Sequence, residues 1–251
     1  MSYILKLQLH KATDLPAADM SLTGGKSDPY VIFSLGNESH RTPCVSANLD
    51  PVWSNETFQF RVPDLTATLR LEIWDDDKLR KDDLLGTIDL PLSTVPRGLS
   101  KNDDDAVRAY EMRVDPQFAS QHVSSMVWMS IALLTPEEAV AVLDFEVWEN
   151  ERWSVMARNW SKKNLGASER KEWSTRDGTQ SSSQFEDVIP VVPPSYERTN
   201  TWHYVKHPGD KDGWIYAPSF DGPWYDKSNM RCMVRRRRWI NSYARSNNYT
   251  F

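Results

Sequence analysis

Two cysteines in 251 residues give this chain no disulfide framework to rest on. Cys44 and Cys232 fall one in each half, and so sparse a usage suits a reducing, cytoplasmic setting. No apolar run approaches the ~20 residues a membrane span requires. The opening MSYILKLQLHK lacks the basic start, long apolar stretch and small-residue cleavage site of a secretory signal, so none is expected. Signatures of catalysis are equally scarce. The five histidines (His10, His40, His122, His203 and His207) show no metal-ligand spacing. There is no glycine-rich phosphate loop and no GxSxG elbow. The expectation is a protein that is not an enzyme. A net charge of −5 also speaks against bulk nucleic-acid binding.

What is present is unevenly spread. Residues 1–135 hold 13 Lys and Arg against 19 Asp and Glu, whereas residues 136–251 hold 17 against 16. Eight of the 11 tryptophans follow residue 145. Two composition regimes in a chain of this length predict two domains.

The first regime reads as short strands. From Tyr3 to His10 the pattern alternates, with Tyr3, Leu5, Leu7 and Leu9 on one side and Ile4, Lys6, Gln8 and His10 on the other. Further runs at 30–35, 58–62, 69–74, 86–90 and 126–134 are separated by turns rich in Gly, Pro, Asn and Asp, which predicts an antiparallel sandwich. Between strands lie two acidic stretches. DLPAADMSLTGGKSDPYV contains Asp19 and Asp28, and IWDDDKLRKDDLLG contains Asp75, Asp77 and Asp83. Gathered at one end of a sandwich, these carboxylates form a negative cup that is costly unless a cation fills it. Several oxygen ligands of this kind are what Ca²⁺ prefers, and Mg²⁺ fits less well because it keeps its waters and a strict octahedron.

AxDLP…SDPYV, NLDPVWSNETFQF and WDDDKLRKDDLLG together resemble the signature segments of a C2 domain over roughly residues 1–135. The resemblance implies an eight-stranded antiparallel sandwich with Ca²⁺ sites in loops at one end, in the phospholipase-like strand order, because the last strand follows all the others. It also implies ligands. The spacing Asp-x-Asp, Asp six on and Gly three later falls on Asp75, Asp77, Asp83 and Gly86; Asp28 closes the first loop. Asp19 occupies the remaining position in a first loop about three residues longer than usual for the family, and Asp14 competes for it. Asp76 and Asp82 are expected to offer backbone carbonyls, not side chains. Met20, Leu22 and Leu79 match loop-tip positions that dip into lipid, with Arg80 and Lys81 alongside for an anionic surface. A second lipid site on the sheet face has only His40 and Arg41 to offer.

After residue 135, TPEEAVAV offers a helix start with Thr135 as cap and Pro136 at the first position, or else a linker over 136–142. LDFEVWENERW then resumes a strand pattern, and 181–194 reads as loop. In MVRRRRWI, strand geometry sends Arg235, Arg237 and Trp239 one way and Arg236, Arg238 and Ile240 the other. Arginines alternating among tryptophans suit cation–π stacks better than nucleic acid, so no nucleic-acid partner is expected.

The run VWENERW…W, EWSTRDG, PPSYERTNTWHYV…DGWIYAPSF and VRRRRWI resembles the dysferlin-type (DysF) domain over about 143–243, leaving a tail at 244–251. The resemblance implies a small β domain of two long antiparallel strands whose core is a stack of Trp153, Trp160, Trp173, Trp202, Trp214, Trp224 and Trp239 with Arg235, Arg236, Arg237 and Arg238. Ferlins and peroxins of the endoplasmic reticulum and peroxisome carry such domains. The whole chain is thus expected to be a peripheral membrane protein that docks its C2 loops on anionic phospholipid when Ca²⁺ is bound, with the DysF domain as a structural or partner-recruiting module. A Ca²⁺-independent adaptor gripping a basic protein partner is the alternative.

Overall fold

The computed structural model describes residues 2–19, 25–77, 80–98 and 103–246, the side chains of residues 54, 55 and 103 aside. The chain is all-β apart from short helical turns. It divides into two units, Met1–Pro136 and Glu137–Phe251.

The first unit has two antiparallel sheets. One joins β4 (Val52–Val62), β1 (Tyr3–Thr13), β9 (Met126–Leu134) and β7 (Val107–Glu111) in that order. The other joins β3 (Glu38–Arg41), β2 (Pro29–Leu35), β5 (Thr68–Asp75), β6 (Asp83–Pro91) and β8 (Arg113–Val114). The last strand returns to lie beside the first, which is the circular order expected. Eight strands become nine because the seventh splits at buried Met112: β7 belongs to one sheet and β8 to the other. Alternate residues bury Leu5, Leu7, Leu9, Val31, Phe33, Leu69, Leu71 and Ile73 completely between the sheets.

His10 departs from the alternation. It is buried, with Nε2 2.8 Å from Ser130 Oγ, although its position in the pattern puts it on the polar side. The cause is a register shift between Leu9 and Lys11: a bulge inserts one residue and reverses the faces, so Ala12 is buried too. Gly86 also has a local reason. A Cβ there would meet the carbonyl of Arg113 at 2.6 Å, so the switching strand closes on β6 only over glycine.

A single helical turn, α1 (Asp103–Ala106), precedes β7, and a second short helix, α2 (Pro136–Ala141), occupies most of the expected linker. The second unit is then built on two long strands. β10 (Val142–Ser154) pairs with β17 (Val234–Arg245) antiparallel from Val142↔Ala244 to Arg152↔Val234. β17 runs two residues into the expected tail, because β14 (Tyr196–Arg198) pairs with its end at Arg245. Short strands complete the sheet. β11 (Asn159–Ser161) and β12 (Trp173–Ser174) lie on β10, with β13 (Ser181–Ser182) beside β12. β15 (His203–Tyr204) and β16 (Ile215–Ala217) lie on β17.

The arginine run sits in the first half of β17 and both its faces are covered. On one, Arg235 lies 4.0 Å over Trp214 and 5.2 Å over Trp160, and Arg237 lies 4.3 Å over Tyr204 and 5.4 Å over Trp239. Acids directly across the register answer them: Arg235 donates to Glu151 and Arg237 to Glu149. On the other face, buried Arg236 is held between Trp148 at 4.2 Å and Trp224 at 4.1 Å, and Arg238 lies 3.7 Å from Glu146. Trp173, Trp202 and Trp239 gather edge-on around Phe185, while Trp153 lies against Trp160. Trp214 and Trp224 are buried and the other five expected stacking tryptophans are half-buried. Trp148, absent from the expected set, is the largest fully buried side chain.

Glu149 is the electrostatic centre of this face. Burial alone would raise its carboxyl. Lys162 at 2.7 Å, Arg237 at 2.6 Å and the Trp239 indole N–H at 2.8 Å more than offset that and hold it below its ordinary 4.5. Glu149→Gln is expected to destabilise the second unit by about 2–4 kcal/mol, since two cations lose a buried counter-charge. Urea titration followed by tryptophan emission reads the change. The sign with pH follows from a depressed folded carboxyl: its stabilisation is full at neutral pH and drains away as the pH falls below about 4.5, so the wild type loses stability there and the Gln variant less.

A carboxylate cup at the loop end of the first unit

Asp28 closes the β1–β2 connection one residue before β2 begins, and Asp75 ends β5 opposite it: Pro29 pairs with Asp75, and Asp75 with Asp83 across the β5–β6 connection. Asp28, Asp75 and Asp83 therefore meet at one edge, Asp75 and Asp83 by strand register and Asp28 through its neighbour Pro29. The Asp28 amide donates to Asp75 Oδ1 at 2.5 Å, and Asp28 Oδ1 accepts from the Ala47 amide at 2.5 Å. Asp77 follows two residues after Asp75, and its amide donates to Asp82 Oδ1 at 3.2 Å.

Asp19 joins them from the far side of the first loop. Its amide bonds the Lys26 carbonyl at 2.9 Å, and the loop base is tied by Ser27, whose hydroxyl donates to the Pro16 carbonyl and accepts from the Ala18 amide. A Cβ at Gly25 would stand 2.5 Å from the Asp19 carbonyl, which explains the glycine. The Asp19 carboxyl is raised by partial burial and then by repulsion from Asp28 and Asp77, so it shares their field. Asp14 lies elsewhere. Its carboxylate accepts from the Ser124 amide at 2.6 Å and its own amide donates to Asp50. The structure thus brings Asp19, not Asp14, to Asp28, Asp75 and Asp77.

Asp75 is the most constrained member. It is 1 % exposed, and its carboxyl is raised from 3.8 to about 6, first by burial and then by Asp19, Asp77 and Asp28, against the lowering effect of the Asp28 amide. Negative charge is held together here at a cost. Among the described residues no three His, Cys, Asp or Glu side chains stand ready-made as a metal cluster. The donor set nonetheless fits a hard cation: oxygen only, mutually repelling, and carried on connections and not on strand interiors.

The neighbouring acids are used differently. Asp82 Oδ2 accepts from the Tyr30 hydroxyl at 2.6 Å, a bond that lowers the Asp82 carboxyl below its ordinary range. Asp76 Oδ1 pairs with Arg41 at 2.8 Å, and the Arg41 guanidinium lies 3.7 Å over the Tyr30 ring. These side chains brace the loop that presents Asp77. Arg41 and Asp76 stand 35 residues apart, and nothing in the chain's pattern couples them. His40 is taken up by Glu38 and by the rings of Phe58 and Phe60, so neither basic residue of the sheet face projects freely. Cys44 donates its thiol to the Asp28 carbonyl, and burial with the charge of Asp28 pushes that thiol up to about 11. Arg80 and Lys81 are exposed beside the cup, whereas Met20, Leu22 and Leu79 lie outside the described residues.

No helix among the described residues is long and apolar enough to cross a membrane. Residues 3–107 match the family model of the C2 domain. The chain is similar to multiple C2 and transmembrane domain-containing protein 2 of Mus musculus, 38 % identical over 95 residues, which are 38 % of this chain and 10 % of that protein. It is also similar to Protein C2-DOMAIN ABA-RELATED 11 of Arabidopsis thaliana, 46 % identical over 74 residues, 28 % of this chain and 44 % of the relative. Among solved structures, a C2 domain of plant Extended Synaptotagmin 1 aligns with a TM-score of 0.43 at 23 % identity, over 53 % of this chain and 95 % of that domain. The matched region spans about a tenth of the multi-C2 relative. Residues 3–107 form a C2 domain, and they lie within the two-sheet unit that β8 and β9 complete.

Proposed function

We propose that the protein is a Ca²⁺-dependent, phospholipid-binding peripheral membrane protein without catalytic activity. The observation that carries the reading is the cup itself: buried Asp75 held against Asp19, Asp28 and Asp77, whose charges add to burial in raising its carboxyl. Asp19, Asp28, Asp75, Asp77 and Asp83 would hold Ca²⁺. When bound, the ion supplies positive charge and coordination positions for lipid phosphate or carboxylate oxygens. The chain's own residues do the rest. The Tyr30–Asp82 and Arg41–Asp76 pairs keep the second loop in place, and exposed Arg80 and Lys81 add attraction to an anionic surface, about 1 kcal/mol each near the headgroups. Without the ion the same end repels such a surface within about a Debye length, ~8–10 Å.

The second unit is read as a DysF-type domain serving as a structural or partner-recruiting module. Its support is the long β10–β17 pair and the arginine–tryptophan stacks on both faces. A cytoplasmic position at the surface of a membrane follows from the same reading.

Co-sedimentation with phosphatidylserine vesicles across a Ca²⁺ titration tests this first. Pelleting that rises with Ca²⁺ and reverses with EGTA is expected. Absence of pelleting at millimolar Ca²⁺ overturns it, and binding that ignores Ca²⁺ yet fades with salt points to the adaptor function instead.

Asp75→Asn with Asp77→Asn is expected to abolish both the Ca²⁺-dependent pelleting and the Ca²⁺-dependent rise in melting temperature. In the wild type that rise corresponds to about 2.7 kcal/mol of stabilisation at a hundredfold excess over Kd. The apo variant is not less stable at pH 7. Folded Asp75 takes its proton near pH 6, and unfolded aspartate near 3.8. The wild-type apo unit therefore gains stability as the pH falls through about 6, and the variant, already neutral there, shows that gain diminished. Thermal melts at pH 7 and 5 in EGTA check the sign.

A further inference from the structure

Among the described residues only five large hydrophobic side chains are markedly exposed, and three of them crowd one end of the second unit. Val155 and Met156 form the tip of the β10–β11 connection, 69 % and 98 % exposed; Met230, at 104 %, tops the loop that leads into β17. Val155 and Met230 border one depression of about 570 Å³, floored by Trp153, Trp160, Cys232 and Met233.

Both tips are closed by turn hydrogen bonds. The Ala157 amide donates to the Ser154 hydroxyl and the Arg158 amide to the Ser154 carbonyl at 2.8 Å, closing a turn in which Arg158 takes a φ of 52°. In the other loop the Arg231 amide donates to Asn229 Oδ1 at 2.9 Å and the Cys232 amide to the Asn229 carbonyl at 3.0 Å, which leaves Met230 at the apex. The backbone is thus committed to holding flexible apolar side chains out in water, where they gain nothing from the protein itself.

Their flanks are basic. Residues 155–159 and 227–231 contain exposed Arg158, Lys227 and Arg231, and the one adjoining acid, Asp226, is half-buried. A protein groove that receives a partner usually recesses its apolar surface behind a polar rim. Here the apolar side chains stand out in water among exposed basic ones, the arrangement that suits shallow entry into the boundary between headgroups and acyl chains.

We propose that this end of the second unit, with Met156 and Met230 as its inserting side chains and Arg158, Lys227 and Arg231 as its charge contacts, is a lipid-docking surface for an anionic bilayer that acts without Ca²⁺. It is a separate contact from the aspartate cup and uses none of its residues.

Full-length protein is partitioned onto phosphatidylcholine vesicles with and without phosphatidylserine, once in EGTA and once in saturating Ca²⁺. Met156→Ser with Met230→Ser is expected to lower partitioning about tenfold or more under both conditions, from the apolar area withheld from lipid. Arg158→Glu with Arg231→Glu is expected to lower it at least as much on phosphatidylserine vesicles and little on phosphatidylcholine alone. Melting temperatures should not move, because every altered side chain is exposed. Wild-type partitioning by the methionine variant in both conditions overturns the proposal, and so does a wild type that never binds vesicles, which would make the surface one for a protein. The two readings separate cleanly. Ca²⁺-dependent binding indifferent to the methionines sinks this proposal alone, whereas methionine-sensitive binding indifferent to Ca²⁺ sinks the Ca²⁺ reading alone.

Discussion

Charge held away from water is expensive, and both units are organised around it in opposite ways. In the first, strand register forces like charges together: Asp28 and Asp83 each face Asp75 or its neighbour across the sheet, and Asp19 and Asp77 close in from the loops. Backbone amides of Asp28 and Ala47 relieve part of the repulsion without neutralising it. Burial first, and then the remaining repulsion, raise the Asp75 carboxyl to about 6. The hydrophobic core on either side keeps the strand ends from drifting apart, so the like charges stay together.

The second unit solves the complementary problem. Four consecutive arginines sit in a central strand. Arg236 is fully enclosed, and burial pushes it down to about 9, still charged at neutrality. Two indole faces enclose its guanidinium and the Arg176 carbonyl accepts from it. Arg235 and Arg237 take glutamates from the facing strand as well as aromatic rings. Large flat rings supply the apolar area that aliphatic side chains provide elsewhere, and cation–π contact compensates the desolvated charge. Such a unit has its specificity in cross-strand register: a one-residue slip of β17 would set every arginine against the wrong partner.

Much of this is legible in the chain. Period-two runs predict most strands of the sandwich, and the parity of Arg235 to Ile240 predicts which residues share a face, because both depend only on local backbone geometry. Where local reading fails, a tertiary event intervenes. His10 lies on the wrong face because a bulge follows Leu9. The strand count differs by one because Met112 carries the chain from one sheet to the other. Trp148 falls outside the expected stack because nothing in its neighbourhood distinguishes a fully enclosed indole from a half-buried one.

What the sequence by itself determined is the kind of each unit: acidic loops between alternating strands in one half, tryptophan and arginine in register in the other. Only the tertiary structure decided which acids act together. Asp14 and Asp19 are five residues apart and chemically equal, yet one is tied to Ser124 and the other lies in the field of Asp28 and Asp77. It likewise turned Asp76 and Asp82 into braces through Arg41 and Tyr30. These distinctions rest on distances between segments far apart in the chain, and a linear pattern carries composition and period but not those distances.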